Sequence, residues 1–197
     1  MSRFFTSDLH IRHNLVVRER GFALPDGTGD HDAYEAVLAE KWDSRVRKDD
    51  IVYVLGDIAM NPAKGAFDFL DARNGRKILI SGNHDATASF HSTASKAQRL
   101  WLAHFESIHD FLQIKIAGRR VLLSHYPYKG EGEREFEEDR HTQFRLRDEG
   151  MPLLHGHVHS KEIVTNGNQF HVGLDGHNLE LVHELEIQDW LEREFVG

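Results

Sequence analysis

The residues of this chain that could do chemistry are carboxylates, amides and imidazoles, each placed just past a short apolar run. Asp8 and His10 follow Arg3 to Ser7. Gly56-Asp57 follows Ile51 to Leu55, and Gly82-Asn83-His84-Asp85 follows Lys77 to Ile80. His125 follows Val121 to Leu123, and Gly156-His157-x-His159 follows Met151 to Leu154. Side chains two apart in extended chain point the same way, as for Asp8 and His10, and His157 and His159 are again two apart. Each motif alone has a bland reading. Gly56-Asp57 reads as a turn with an Asx hydrogen bond, and Asn83-His84-Asp85 as a helix N-cap. Five strand ends that each deliver Asp, Asn or His make a joint pattern, because sites in open α/β sheets form outside the carboxyl ends of strands.

The donors available fix the kind of site. The chain has no cysteine, which excludes disulfides, thiolate nucleophiles and thiolate-bound metals. Nitrogen and oxygen are abundant, with 15 His and 32 Asp plus Glu. The formal net charge of −8 argues against a long nucleic acid, whose binders usually present a basic face. Phosphate can still bind an acidic protein where metal cations supply the positive charge.

These residues need a scaffold of strands and helices. Arg3 to Ser7, Ile51 to Leu55 and Lys77 to Ile80 read as strands, and the continuous apolar run of the second suits burial on both faces. Helices are expected over His31 to Arg47, where Tyr34, Leu38 and Trp42 recur at helical spacing, and over Pro62 to Arg73, Ser95 to Phe105 and His183 to Phe195. Phe111 to Ile116 and Val121 to Leu123 form a hairpin about Gly118. Met151 to Leu154 is a strand. Glu162 to Thr165 and Gln169 to Val172 flank the turn signal Asn166-Gly167-Asn168. Lys129 to Gly150 is too rich in charge and Gly to assign. The pattern predicts an α/β sandwich of two mixed sheets with helices outside.

Together, Asp8-x-His10, Gly56-Asp57, Gly82-Asn83-His84-Asp85, His125 and Gly156-His157-x-His159 resemble the calcineurin-like metallophosphoesterase superfamily. Phe5 to His10, Val52 to Asp57 and Val172-Gly173-Leu174-Asp175 resemble its small, uncapped bacterial and phage branch. The resemblance implies one domain over 1–197, a four-layer α/β/β/α sandwich with a dimetal site at the strand ends. By the same resemblance, Asp8, His10 and His159 bind a first metal and Asn83, His125 and His157 a second. Asp57 bridges the two, and His84 is the catalytic histidine, oriented by Asp85. The implied reaction is in-line attack on a phosphate ester by a hydroxide held between two metals ~3.5–4 Å apart. A bridging carboxylate offsets cation repulsion, and the histidines must be neutral to ligate. Two divalent ions are expected, Mn²⁺ in use, with Fe, Zn²⁺ and Ni²⁺ also suited to this donor set.

Other residues carry weaker expectations. His13 is as suited to capping as to supporting a ligand. Arg12, Arg140, Arg145 and Arg147 read first as surface cations paired with acids, with contact to phosphate the lesser reading. His155 sits near the metals or caps its strand, and His31, His91, His104, His109, His141, His171, His177 and His183 read as structural or exposed. The expected substrate is a small nucleotide diester, 2′,3′- or 3′,5′-cyclic, because metals alone suit a diester better than a more highly charged monoester. The alternatives are a phosphomonoesterase or phosphoprotein phosphatase, then a nuclease, then a non-catalytic scaffold, which would be expected to have lost ligands. No run approaches the ~20 apolar residues of a membrane span, and the N-terminus lacks a signal-peptide pattern. A cytoplasmic protein is expected.

Overall fold

The structure, a computed structural model, describes residues 1–60, 65–131 and 138–195. Two five-stranded mixed sheets carry the fold. In the first, β1 (Arg3–Thr6), β2 (Ile51–Val54), β3 (Arg76–Ile80) and β4 (Ser107–His109) run parallel. The short β10 (Val182–His183) pairs antiparallel on the outer edge of β1. In the second, β5 (Phe111–Ile116) and β6 (Arg119–Ser124) form the hairpin, and β6, β7 (Leu153–His155) and β9 (Gln169–His171) run parallel. Finally, β8 (Val164–Thr165) folds back on β9 through the predicted turn, with Asn166 and Gly167 at positive φ.

Alternation along the first three strands sorts their side chains between two cores. Phe4, Val52, Val54 and Leu79 face one core, with Val17 of α1 (Asn14–Glu19) and Tyr34, Leu38 and Trp42 of α2 (His31–Arg45). Phe69 and Leu70 of α3 (Ala66–Asp71) and Trp101 of α4 (Ala94–Trp101) complete it. Phe5, Tyr53, Leu55 and Ile80 point the other way, onto Val121, Leu123, Leu154 and Phe170 of the second sheet. The helix α5 (Glu184–Glu194) closes this inter-sheet core with Ile187, Trp190 and Leu191. Its N-cap is His183, with a capping box to Glu186. Two mixed sheets with helices match the α/β fold expected from sequence, with α1 to α4 on the first sheet and α5 against the core between the sheets.

The differences are local. The predicted helix over His31 to Arg47 stops at Arg45 because Val46 turns extended. That over Ser95 to Phe105 starts at Ala94 and ends at Trp101, with Leu102 already in the C-cap. Pro62 to Lys64 of the helix predicted over Pro62 to Arg73 lie outside the described residues. The strand expected from Met151 begins at Leu153, since Pro152 has no N–H and offers only its carbonyl, to Leu122.

Beyond the inter-sheet core, the ends of β1 and β9 are joined by an isolated parallel bridge between Ser7 and Gly173, one residue before Asp8. There the parallel strands of both sheets end, so the loops that follow them project into one space.

Candidate metal centre

The loops after β1, β2, β3, β6 and β7 bring all seven predicted ligands together. Five of the seven, Asp8, His10, Asp57, His157 and His159, hold left-handed backbone, with φ of 59°, 46°, 54°, 73° and 51°. Non-glycine residues rarely occupy that region, and such strain collects where function requires it. Backbone bonds hold these turns: Asp8 N–H donates to Gly56 O (3.0 Å), and His10 N–H to Asp57 O (3.0 Å). Gly82 and Gly156 permit the close approach. A Cβ on Gly82 would overlap the Asp57 carboxylate, and one on Gly156 would overlap Ser7 Oγ.

The donor atoms fall into two sets. In the first, His10 Nε2 lies 3.0 Å from His159 Nε2, and Asp8 Oδ1 lies 3.9 Å from His10 Nε2 and 3.5 Å from His159 Nε2. In the second, Asn83 Oδ1 lies 3.2 Å from His125 Nε2 and 3.1 Å from His157 Nδ1. Asp57 Oδ2 stands between them, 3.8 Å from His10 Nε2 and 3.5 Å from His125 Nε2. Metal–donor bonds of ~2.1 Å would separate neighbouring donors by about 3.0 Å at a right angle and about 3.4 Å in a tetrahedron. These sets therefore have the spacing of coordination edges.

The residues fit divalent cations on a further ground. Asp8 Oδ1 is buried and makes no hydrogen bond. A buried carboxylate oxygen without a partner is costly, and a cation would satisfy it. Burial depresses two of the imidazoles, pushing His157 down to about 4 and His10 well below the usual histidine range, so both are neutral at pH 7, as ligation requires. At His125 burial is outweighed by the Asp57 and Asp8 carboxylates, which push it up.

Two carboxylates outside the predicted set fix the ligand tautomers. Asp175 Oδ2 is 3.1 Å from His159 Nδ1, so that nitrogen carries the proton and Nε2 faces the first donor set. The buried Arg20 grips both Asp175 oxygens (2.9 and 2.7 Å) and donates to Asp8 O (2.8 Å) and Tyr34 Oη (2.7 Å). On the other side, Glu131 Oε2 is 3.4 Å from His157 Nε2, which leaves Nδ1 toward Asn83. Burial would raise the Glu131 carboxyl. His157 and the Arg140 N–H groups outweigh that and hold it down at about 2. His125 donates from Nδ1 to Leu55 O (2.8 Å), again freeing Nε2. Sequence reasoning missed these partners. Asp175 lies within a motif already noted, but Arg20 and Glu131 carry no local signal.

Asp85 corrects an expectation. Instead of orienting His84, its buried carboxylate accepts the N–H groups of Asp57 (2.9 Å), Ile58 (3.1 Å) and Gly82 (2.8 Å). It ties the second and third ligand loops together. The His84 ring stands at the cavity wall, its Nε2 4.0 Å from Asp57 Oδ2, and the His84 backbone N–H donates to Asp57 Oδ1 (3.0 Å). Arg145 is also corrected. It is not a surface cation but is buried against Glu131 and bonded to Arg140 O (2.9 Å). Arg12 and Arg147 do pair at the surface, with Asp32 and Glu35 and with Glu149. His13 caps α1 through Val16 N–H (3.3 Å). His155 is buried between Gly156 O and Thr165 Oγ1, each at 2.8 Å, and serves the strand rather than the donors.

Above the donors opens a cavity of about 350 Å³, lined by His10, Asp57, Asn83, His84, His157 and His159, with Arg140 at one side. Among the described residues, no helix is long and apolar enough to cross a membrane.

The model of the calcineurin-like phosphoesterase superfamily domain matches residues 1–174. The Gene 66 proteins of Mycobacterium phages D29 and L5 are each 42% identical to this chain. The D29 match covers 93% of this chain and 96% of the relative, and the L5 match 94% and 92%. The protein MJ1445 of Methanocaldococcus jannaschii is 34% identical over 81% of this chain and 70% of its own length. The solved structure of AQ665 from Aquifex aeolicus shares the fold, with a TM-score of 0.66 at 23% identity, covering 95% of this chain and 98% of that one.

Proposed function

This chain belongs to the calcineurin-like phosphoesterase superfamily, and we propose that within it the substrate is a small phosphate diester, a cyclic nucleotide with a 2′,3′- or 3′,5′-bridge in particular. In this reading Asp8, His10 and His159 hold one divalent ion, Asn83, His125 and His157 hold a second, and Asp57 serves both. Manganese is the ion proposed in use, and Fe, Zn²⁺ and Ni²⁺ suit the same donors. When bound, such a pair supplies Lewis-acid polarisation of phosphoryl oxygens and an activated water.

The observation that carries the reading is the shared Asp57 oxygen between two donor sets on the floor of an open cavity. The preference for a diester rests on charge. Arg140 is the one Arg or Lys among the described lining residues, and it is paired with Glu131 at 2.9 Å, while Glu19 and Asp57 line the same space. A monoester dianion would find little additional positive charge here. The chain's own contribution is to orient the imidazoles, exclude wrong tautomers and place His84 beside the departing oxygen.

A substrate panel tests this. Cyclic nucleotides and bis(p-nitrophenyl) phosphate should be hydrolysed at least about tenfold faster, in kcat/KM, than p-nitrophenyl phosphate and nucleoside monophosphates. The panel should be run with Mn²⁺, Fe²⁺, Zn²⁺ and Ni²⁺ in turn. A monoester preference under every metal would overturn the diester reading.

Asp175→Asn gives a second, independent expectation. The amide can no longer hold the His159 tautomer as an anion, and Arg20 loses its counter-ion. Affinity at the first ion should fall by about 10–100-fold, the usual effect of losing a ligand's carboxylate partner. Competition with a fluorescent chelator measures it. Undiminished affinity would show that Asp175 serves folding alone.

A further inference from the structure

We infer that the apolar cavity beside the metal centre is the subsite for the ring-bearing leaving group of the ester, an aryl group or nucleobase. The inference rests on the phosphoesterase reading above.

This second cavity measures about 500 Å³ and shares a wall with the first, because Asn83 and His84 line both. Its size falls within the ~300–1,000 Å³ typical of small-ligand sites. Phe67 and Trp101 form its inner wall, edge to face with centroids 5.1 Å apart, and Phe67 is fixed from behind by stacking on His104 at 4.1 Å. Met60 and Leu100 stand at its mouth, 45% and 63% exposed. Large apolar side chains that line one cavity and stay exposed leave apolar surface there for a ligand to cover.

Position identifies the occupant. A phosphoryl group over the donor atoms would have His84 on the wall that leads into the apolar cavity. An oxygen leaving on that side passes His84 and carries its substituent between Phe67, Trp101, Met60 and Leu100. The opposite side of the centre is polar, with Arg140 and Glu131. A flat apolar ring is matched by the first side and not by the second, since aromatic walls favour offset or edge contacts with a ring.

Calorimetry on metal-loaded protein separates the two cavities. Methylphosphonate presents the phosphoryl oxygens alone, and phenylphosphonate adds one ring without a bond to hydrolyse. The native protein should bind phenylphosphonate about tenfold or more tightly than methylphosphonate. Leu100→Glu and Met60→Glu each place a charge at the mouth, on exposed positions where the fold is not at stake. Each should shrink the ratio to within about threefold and leave the methylphosphonate Kd unchanged. Methylphosphonate binding without a phenyl preference, or a preference that survives both substitutions, would overturn the subsite while leaving the hydrolase reading intact. Binding of neither phosphonate to protein that keeps both ions would also overturn the subsite, and hydrolysis of bis(p-nitrophenyl) phosphate by the same preparation decides the hydrolase reading separately.

Discussion

Asp57→Asn is expected to strip the protein of metal at both positions at once. Asp57 Oδ2 is the one donor atom placed within 4 Å of both sets, at 3.8 Å from His10 Nε2 and 3.5 Å from His125 Nε2. The substitution is nearly isosteric, and the amide oxygen can still accept the His84 N–H now bound by Oδ1 at 3.0 Å. That leaves the amide nitrogen where Oδ2 stands, aimed at two imidazole nitrogens. Its hydrogens repel any cation there, and a full negative charge is gone from a site whose ligands are otherwise mostly neutral. Total metal should fall below about one ion per chain, against the two expected for the native protein. Asn83→Ala should retain the first ion. Hydrolysis in Asp57→Asn should drop by more than the ~10–100-fold typical of losing an orienting partner. Elemental analysis with anomalous scattering decides the matter. Two fully occupied positions in Asp57→Asn would remove the bridging role.

What the sequence made legible here is what local chemistry controls. The apolar runs at Ile51 to Leu55 and Lys77 to Ile80 read as buried strands, and the turn Asn166-Gly167-Asn168 as the close of a hairpin. The candidate ligand residues were visible because they sit within a few positions of those strand ends. Elements made by tertiary pairing were not visible. The strand Val182–His183 is two residues long and exists because β1 offers an open edge. The helix Asn14–Glu19 begins on a histidine cap, a weak signal beside Ser, Thr, Asp or Asn.

The same distinction governs the site. Asp85 sits next to His84 in sequence, yet its carboxylate turns inward to three backbone N–H groups, because a buried acid must be satisfied before it can orient anything. The partners that do orient ligands come from far along the chain. Asp175 meets Arg20 across 155 positions and Glu131 meets His157 across 26, and no spacing rule connects them. Arg145 reads as one of many charges in a charged segment, but it is buried because Glu131 needs a second guanidinium to be buried itself.

His84→Ala is expected to keep both metals and lose most turnover on nucleotide substrates. The ring is outside both donor sets, with Nε2 4.0 Å from Asp57 Oδ2 and its side chain 38% exposed. The backbone N–H that anchors Asp57 Oδ1 survives the substitution, so the third ligand loop keeps its shape. What disappears is an imidazole on the wall where the leaving oxygen departs. A ribose alkoxide is a poor leaving group and needs a proton as the P–O bond breaks. A nitrophenolate needs little help. General acid catalysis typically contributes ~10²–10⁴-fold. The loss on a cyclic nucleotide should lie in that range, and the loss on bis(p-nitrophenyl) phosphate should be smaller by at least about tenfold. His84→Asn can restore a hydrogen bond to a phosphoryl oxygen but cannot donate a proton, so it should recover the aryl diester more than the nucleotide. Equal losses on both substrates with metals retained would falsify proton donation and leave stabilisation of phosphoryl charge as the role of the ring. Loss of metal in His84→Ala would instead make His84 a ligand, and Asn83 would then have to be reassigned with it.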